Sequence, residues 1–506
     1  MPFDNASSAP GLEWISEAFP EILGQRLSSP TLYVAARTDR VRAYDRAGIP
    51  STVHPARATL YRIAEQMDMD YVVLGQYRYD GSTFTASADL VDMRREKLFG
   101  PSTESGLLVE LVNLQTGLAW DLLHRLRADF TSSREAYVST FPSLRLDALE
   151  NYVRGIVANS PPDKIGYLRE AVRIHPSYHQ AWFELGKTYL GERRYEQAIS
   201  AFSQIPQSVA LAREANFYLG LAAYALADFT KAESAFSFVA RSFPLPEVYN
   251  NLGVVSGRHG TKNEIERFQR AVESDPSDPD YHFNLGLAFY RAGDSSSAAR
   301  QLRETLNLRP GDIEAKSFSE RISGASGAKT QAAADALTRA AIKMPLQRMK
   351  RNYDESSFRL VALKIQAVRE QRLAKTDPRS HARFHVARGD ELLSQGFVFE
   401  AEKEFREAVS LDPANALAHA GLARVLESSI DVTAARSEAE AALHLKSLAD
   451  PLLVLARLDL RENKFEAAAQ EVSRALQLEP SNPAAQALKN AVAAKLAEKA
   501  QSLPKP

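Results

Sequence analysis

A mainly α-helical solenoid preceded by a small α/β domain is the fold class that the sequence predicts. Three observations lead to it: Leu-Gly pairs recur at a near-constant spacing, an amphipathic stretch follows each pair, and the amino-terminal part has a strand-like pattern that does not repeat. A fixed period of a few tens of residues is typical of stacked units, each of which buries its apolar face against the next. The chain is therefore expected to be an array of similar units.

The repeat is clearest in the middle of the chain. Its glycines step by 34, 33 and 33 residues, and the second stretch of three of the four units runs into Pro244, Pro276 or Pro310. Proline cannot supply a helical amide donor, so it favours a helix end at these points. The spacing predicts helix-turn-helix units, and the Leu-Gly pairs are Leu185-Gly186, Leu219-Gly220, Leu252-Gly253 and Leu285-Gly286.

Two units carry most of a known signature. One comprises Trp182, Leu185, Gly186, Tyr189, Ala198 and Phe202, and the other His385, Gly389, Leu392, Ala401, Phe405, Ala408 and Pro413. This pattern resembles the tetratricopeptide repeat (TPR), although the first unit has Ile205 in place of the usual alanine and an early Pro206. The resemblance implies an α-solenoid whose inner surface binds proteins.

The repeats divide into two arrays. We define the first array as residues 145–322 and the second array as residues 381–481, followed by a capping helix and tail at 482–506. Gly324, Ser326 and Gly327 indicate a break between the arrays. Residues 323–380 are either a helical linker or a degenerate repeat, with helices expected at 329–343 and 354–373. The pattern leaves these alternatives open.

Residues 1–135 have a sequence pattern different from that of the repeats. Leu12, Ile15, Phe19 and Ile22 indicate a helix that Pro20 could divide, 32–36 a buried strand and 55–67 a helix. Residues 70–92 predict a β-hairpin that turns at Asp80-Gly81, because Asp-Gly suits tight hairpin turns. A long amphipathic helix is expected over 106–126. These signals predict a small α/β layer.

This region is similar to the TolB type of amino-terminal domain, also found in CsgG-like and FlgO-like envelope proteins. The residues that carry the resemblance are Pro2-Phe3-Asp4-Asn5, the strand at 70–75 and Leu90-Val91-Asp92. In that family the Pro-Phe-Asn run closes a hydrophobic first strand, whereas here Met1 directly precedes it. We therefore expect the natural start to lie upstream and the protein to be periplasmic or envelope-associated; the chain as written reads as soluble, and its compartment stays open.

Composition narrows the function classes. Lys plus Arg number 62 against 63 for Asp plus Glu, so net charge points to no nucleic acid partner. The absence of cysteine excludes disulfides and thiolate metal sites, and no apolar run approaches the ~20 residues that span a bilayer. His381 and His385 lie four apart but lack a third ligand, and we interpret them as exposed helix residues. We expect no enzyme, no metal and no cofactor.

Inner-surface positions of the first array are mainly apolar and aromatic, which suits an extended peptide or a helix of a partner protein. Alternatively, some of these rings pack between repeats. The expected function is a non-catalytic protein-protein interaction scaffold, with a bacterial envelope assembly or transport accessory protein as the alternative. The predicted partner-binding residues are Phe183, Lys187, Phe217, Leu221, Tyr224, Asn250, Val254, Phe283, Leu287 and Tyr290.

Three further patterns were weighed. Asn251 and Asn284 match part of the clamp by which the family holds a peptide's terminal carboxylate, but Asp280 stands where a lysine is required, so no clamp is expected. The basic run at 343–359 is interpreted as a solvated helix end rather than a site. The second array offers a mixed, charged surface, with Arg383, Val386, Asp390, Ala420, Arg424 and Glu427.

Overall fold

The computed structural model describes residues 1–7, 9–28, 32, 34–50, 55–67, 69–127, 130, 132–260, 263–326, 346–354, 377–394, 398–428 and 431–502. The chain divides into two compact units, one formed by Met1–Val153 with Ala362–Pro506 and the other by Arg154–Val361. A four-stranded sheet lies in the amino-terminal part, and helix pairs follow it. The predicted fold class, a helical solenoid after a small α/β region, is confirmed.

The amino-terminal region packs helices on a sheet of order β1-β2-β3-β4. Strand β1 is parallel to β2, and the other neighbours are antiparallel. The strands are β1 Asp4–Asn5, β2 Tyr71–Tyr79, β3 Phe84–Asp92 and β4 Lys97–Gly106, and the helices are α1 Ile15–Leu27, α2 Arg37–Arg46, α3 Arg57–Gln66, α4 Leu111–Leu126 and α5 Arg134–Thr140.

Several predictions for this region can be compared with the structure. The hairpin turns at Asp80, whose carboxylate accepts the N–H groups of Ser82 and Thr83. Helix α1 continues through Pro20. The strand expected at 32–36 is wrong for 34–36, which form no strand and lead into α2, where the Asp39 carboxylate accepts the N–H of Ala36. Strand β4 was missed, because its mixed polar residues do not alternate.

An aromatic stack forms the core of this region. Phe3 lies parallel to Phe19 with ring centroids 4.0 Å apart, and Tyr77 and Phe84 continue the cluster. Gly75 on β2 is required here, because a Cβ at that position would overlap the Phe3 ring. The stack therefore fixes the amino-terminal residues against the sheet.

The remaining helices form successive antiparallel pairs. In the chain up to residue 326 they are α6 Leu146–Val157, α7 Pro161–Ile174, α8 His179–Gly191, α9 Tyr195–Phe202, α10 Ala212–Ala225, α11 Phe229–Ser242, α12 Pro246–His259, α13 Glu264–Ser274, α14 Pro279–Arg291, α15 Ser295–Leu308 and α16 Ile313–Ser326. After residue 377 they are α17 Pro378–Ser394, α18 Val398–Leu411, α19 Ala416–Ser428, α20 Val432–Leu445, α21 Ala449–Arg461, α22 Phe465–Leu478 and α23 Pro483–Ser502. The helices expected at 329–343 and 354–373 lie outside the described residues, apart from Asp354.

One close approach recurs inside the helix pairs. A Cβ added to the signature glycine would lie 2.5–2.8 Å from a phenylalanine ring of the second helix, so only glycine lets the ring enter. Each ring is fully or almost fully buried. The pairs are Gly186 with Phe202, Gly220 with Phe236, Gly253 with Phe268 and Gly389 with Phe405.

A second recurrent contact ties each unit to the loop before it. The side chain six residues after a loop proline forms a hydrogen bond with the proline carbonyl: Trp182 to Pro176 (2.8 Å), His282 to Pro276 (3.0 Å), His419 to Pro413 (3.0 Å) and Gln486 to Pro480 (3.0 Å). These bonds satisfy carbonyls of the loop that follows each second helix. His282 and His419 are therefore structural.

Candidate functional site

Residues 346–354, which we call the strap, lie against the inner helices of the first array. The strap is not helical, so the prediction of a solvated helix end is wrong for these residues. Their main chain and side chains are bonded to residues of helices α12 and α14 and of the adjoining loops. The basic run is a bound segment because its cations meet carboxylates and its backbone meets amides.

Two asparagines hold the strap by its main chain. Asn284 accepts the N–H of Arg348 (2.7 Å) and donates to its carbonyl (2.8 Å), and Asn251 does the same for Lys350 (2.8 and 2.9 Å). Asn250 also donates to the carbonyl of Arg348 (2.9 Å) and accepts from Asn284 (2.7 Å). All three asparagines are fully buried. Asn251 and Asn284 thus each form a pair of bonds with one strap residue like the pair between two strands, and Asn250 adds a single bond.

This pairing defines the conformation of the strap. Both bonded N–H groups and both bonded carbonyls belong to residues two apart, and they face the same side of the segment. Only an extended chain presents alternate residues in this way. The side chains of Arg348 and Lys350 consequently project together, and the residue between them projects to the other side.

Arg348 occupies the most acidic part of the site. Its guanidinium donates two bonds to Asp312 (2.7 and 2.8 Å), reaches Asp280 (3.0 Å) and Glu314 (3.1 Å), and lies over the Phe283 ring at 3.6 Å from its centroid. Burial alone lowers the pKa of Arg348, but the bonds to these carboxylates raise it overall. A two-point bond with a ring beneath is geometry that arginine provides and lysine does not.

Lys350 lies next to it. Its ammonium donates to Asp278 (2.6 Å) and Asp280 (2.7 Å), and it lies 5.0 Å from the Tyr281 ring centroid. Burial by itself raises the pKa of Asp280, but the bonds from Lys350, Arg309 and Arg348 more than offset this effect and hold that pKa at about 2. The ordinary pKa of this carboxyl group is 3.8. The ion pairs of Asp280 are therefore complete above pH 3.8, and they are lost only as the pH falls towards about 2.

The opposite side of the strap is apolar. Met349 packs against the clusters that contain Phe217 and Val254, and the Tyr353 ring lies 5.4 Å from that of Phe217. Alternate residues of the strap therefore meet two different environments, one acidic and one hydrophobic.

Both ends of the strap are held as well. Gln347 donates to Glu264, which also accepts from Arg291 (2.7 Å), and a Cβ at Gly257 would crowd this cluster. At the other end, the N–H of Asp354 donates to Glu247 (2.9 Å). Burial raises the pKa of Glu247, although this bond opposes the shift.

The structure separates the ten predicted groove residues into two sets. Phe217, Asn250 and Phe283 contact the strap directly, and Leu221, Tyr224 and Val254 belong to the apolar clusters that Met349 joins. The other four have contacts with other residues of the array. Phe183 and Lys187 interact with each other and with Tyr218, and Leu287 and Tyr290 pack with Phe318.

Sequence reasoning missed the strap and its acidic partners. Asn251 and Asn284 were noted only as parts of a clamp, and Asp280 only as a residue that prevents one. Asp278 and Asp312 were not singled out. The sequence did offer a signal, because it contains both a basic run and acidic residues clustered at the start of α14 and in the loop before α16.

Charges on the first helices of the second array neutralise one another. Arg424 forms ion pairs with Asp390 and with Asp450 (3.4 Å). Glu427, which is buried, accepts three bonds from Arg457, the shortest 2.6 Å long. The pair of His385 and His381 is also accounted for: His385 is buried, not exposed as expected, and bonds Glu404 (2.7 Å) and His381 (3.1 Å). Among the described residues no group of three potential ligands is arranged to hold a metal.

Comparison with known families agrees with the helix-pair geometry. The family model described as "Tetratricopeptide repeat" matches residues 165–212, 184–245 and 386–450, and that described as "TPR repeat" matches 265–293. Within these ranges the helix pairs match the tetratricopeptide repeat. The matches fall in both arrays, and the TolB-type resemblance of the amino-terminal region stays a prediction.

Solved TPR structures show low overall similarity to this chain. MamA from Desulfovibrio magneticus RS-1 is 19% identical over 34% of this chain and 99% of its own, with a TM-score of 0.32. YrrB, described as "a TPR protein with an unusual peptide-binding site", is 16% identical over 34% and 92%, with a TM-score of 0.31. A TPR protein from Parabacteroides merdae is 10% identical over 62% and 98%, with a TM-score of 0.27.

No curated protein matches the sequence significantly. In the part of the chain that the structure describes, no helix has the length and apolar character needed to cross a membrane.

Proposed function

We propose that this protein is a non-catalytic interaction scaffold whose first array binds an extended peptide segment of a partner protein along helices α10, α12 and α14. The observation that carries the proposal is the pairing of Asn251 and Asn284 with both main-chain groups of Arg348 and Lys350. The strap, an extended segment of the chain held on these helices, supports an extended peptide as the ligand.

Main-chain recognition suits a binding role. Hydrogen bonds to the N–H and C=O groups of a strand provide affinity for any extended segment, and the alternate side chains provide selectivity. Three buried amides on two neighbouring units supply these bonds, so the site does not depend on a peptide terminus. This agrees with the expected lack of a carboxylate clamp.

The test uses the full chain with residues 346–354 replaced by nine glycines and serines. A fluorescent peptide with the sequence of residues 346–354, LQRMKRNYD, is titrated with this protein, and binding is followed by fluorescence anisotropy. We expect saturable binding that Asn251→Ala with Asn284→Ala removes. Asn216→Ala is the matched control, because Asn216 on α10 donates only to Ala212 of its own helix (2.7 Å).

Circular dichroism verifies that each variant keeps its helices. If the folded, strap-replaced protein does not bind the peptide, or if it binds equally well without Asn251 and Asn284, the proposed function is wrong.

A further inference from the structure

We infer that the first array selects an extended segment with two basic side chains two residues apart and a flexible apolar residue between them, and that the strap is an internal competitor for such a partner. The inference rests on the proposed peptide-binding function and specifies its ligand and its regulation. The partner is therefore a protein that carries a basic-apolar-basic motif in an extended stretch.

Charge complementarity is the first argument. Four carboxylates, those of Asp278, Asp280, Asp312 and Glu314, converge on the two cations of the strap. Asp312 and Asp280 are only 5% and 17% exposed, so leaving these like charges without counter-ions is unfavourable. Arg309 of the array also pairs with Asp280 (2.8 Å) and Asp312 (3.6 Å), but a single guanidinium does not balance four carboxylates. An occupant that lacks cations at these positions would leave the cluster with excess negative charge.

The second argument is the spacing of the two cations along the strap. Asn284 and Asn251 fix the main chain of two residues that lie two apart, and the side chains of those same residues enter the acidic part of the site. In an extended chain, only positions i and i+2 project to the same side. A cation at the adjacent position, that of Met349, would instead lie on the apolar side against Phe217 and Val254.

The apolar side is the third argument. Met349 fits between two clusters that include Tyr224 and Val254, and an unbranched thioether adapts to such an irregular gap. Tyr353, which lies five residues after Arg348, adds a ring contact with Phe217. By contrast, Arg351 is exposed, so its identity does not contribute to selection.

The strap competes with a partner because it is covalently part of the chain that forms the groove. The strap belongs to the same chain as the groove, so its binding is intramolecular and proceeds at an effective concentration that a separate peptide must exceed. Every main-chain bond that a partner would make to Asn251 and Asn284 is already made by the strap. The intact chain is therefore closed to weak ligands and opens to partners that outcompete residues 346–354.

The experiment compares the intact chain with the strap-replaced chain, using the LQRMKRNYD peptide as the probe. We expect the strap-replaced chain to bind it at least about tenfold more tightly than the intact chain. In the peptide, alanine at the position of Arg348 or Lys350 should weaken binding to the strap-replaced chain about tenfold or more. Alanine at the position of Arg351 is the matched control and should change binding by less than about threefold.

Four outcomes would contradict part of the reasoning, and each points to a different part. Equal binding of all peptide variants overturns the selectivity while leaving the proposed function intact. Equal affinity of the intact and strap-replaced chains overturns the competition. A dimer of the intact chain that becomes a monomer on strap replacement, measured by light scattering, assigns the strap to a second copy and also overturns competition within one chain. Absence of any binding overturns the proposed function itself.

Discussion

The two arrays share the same helix pairs but differ at one inner position. In the first array, Asn251 and Asn284 stand two residues before the small residue at which the helices of a unit meet. The second array has no amide there. Its corresponding residues, two positions before Gly389, Ala423 and Ala456, are Ala387, Gly421 and Val454. At the position that holds the main chain of the strap, the two arrays thus differ by few residues per unit.

The two arrays also differ in how their charged residues are paired. In the first array, Asp280 and Asp312 pair with Arg309 of the array and also with cations of the strap, a separate segment of the chain. In the second array, Arg424 and Glu427 are neutralised by residues of the neighbouring helices. The acids of the second array are thus balanced by neighbouring helices, whereas those of the first array are balanced only in part by Arg309 and otherwise by the strap. This difference is part of what the proposed binding role of the first array rests on.

Removing the asparagine pair should have the largest effect. Asn251→Ala with Asn284→Ala deletes four main-chain hydrogen bonds to the strap; at ~1 kcal/mol net each, strap binding weakens by roughly 4 kcal/mol. Limited trypsin digestion measures the result, since the strap contains Arg348, Lys350 and Arg351. We expect rapid cleavage in the strap of the variant and slow cleavage in the parent.

The second array supplies the comparison for this variant. Its helices should keep their protection in hydrogen exchange, because the changed residues belong to the first array. A strap that stays protected in the variant would show that the asparagines are not what distinguishes the arrays.

Removing one strap cation should have the next largest effect. Arg348→Ala leaves Asp312 and Asp280 without this partner and exposes Phe283, so we expect strap binding to weaken by about 2 kcal/mol. Arg351→Ala is the control in the same segment and should change it by less than about 0.5 kcal/mol. Trypsin is unsuitable for these variants, so hydrogen exchange of residues 346–354 is measured. Equal effects of the two variants would contradict the charge argument.

A matched change in the second array sharpens the comparison. Glu427→Ala removes a carboxylate shared by Arg457 and Arg461, both of them partly exposed, so we expect a local loss of about 1–2 kcal/mol. Faster hydrogen exchange should appear in helices α19 and α21, with no change in the strap. Glu471→Ala provides the control, because its pair with Arg474 is exposed and lies within one helix.

The sequence predicted the repeated helix pairs because their spacing, glycines and prolines report contacts within a unit. Gly186 and Phe202 are examples: they lie on the two helices of one pair and recur as Gly220 and Phe236. The strap follows no such rule. Its residues are held in an extended conformation by Asn251 and Asn284, which lie up to about a hundred positions earlier in the chain. A basic run alone does not identify those partners.

Some of the predicted groove residues show the same limit. Phe183 and Tyr290 occupy family positions for the inner surface, yet they pack against Phe202 and Phe318 of their neighbouring helices. Hydrophobic rings suit either environment, so residue type could not decide between them. In contrast, a buried amide needs hydrogen-bond partners, and Asn250, Asn251 and Asn284 together were the more informative signal.

The smallest expected effect concerns the turn between the two helices of a unit. In the first array this turn has a residue with positive φ in successive units, at Arg193, Ala227, Gly260 and Gly293. Alanine has no side-chain compensation for a φ of 60°, whereas glycine adopts it readily. We therefore expect Ala227→Gly to raise the free energy of unfolding by about 0.5–1 kcal/mol, because relief of strain exceeds the entropy lost on folding.

The second array provides the counterpart at Asn463, which has the same φ of 60°. Asparagine tolerates this conformation, so Asn463→Gly should change stability by less than about 0.3 kcal/mol. Urea unfolding followed by circular dichroism measures both variants, with Ala222→Gly within helix α10 as a control that should be destabilising by about 1 kcal/mol. Equal gains at Ala227 and Asn463 would mean that turn strain does not depend on the residue type and that this difference between the arrays has no energetic consequence.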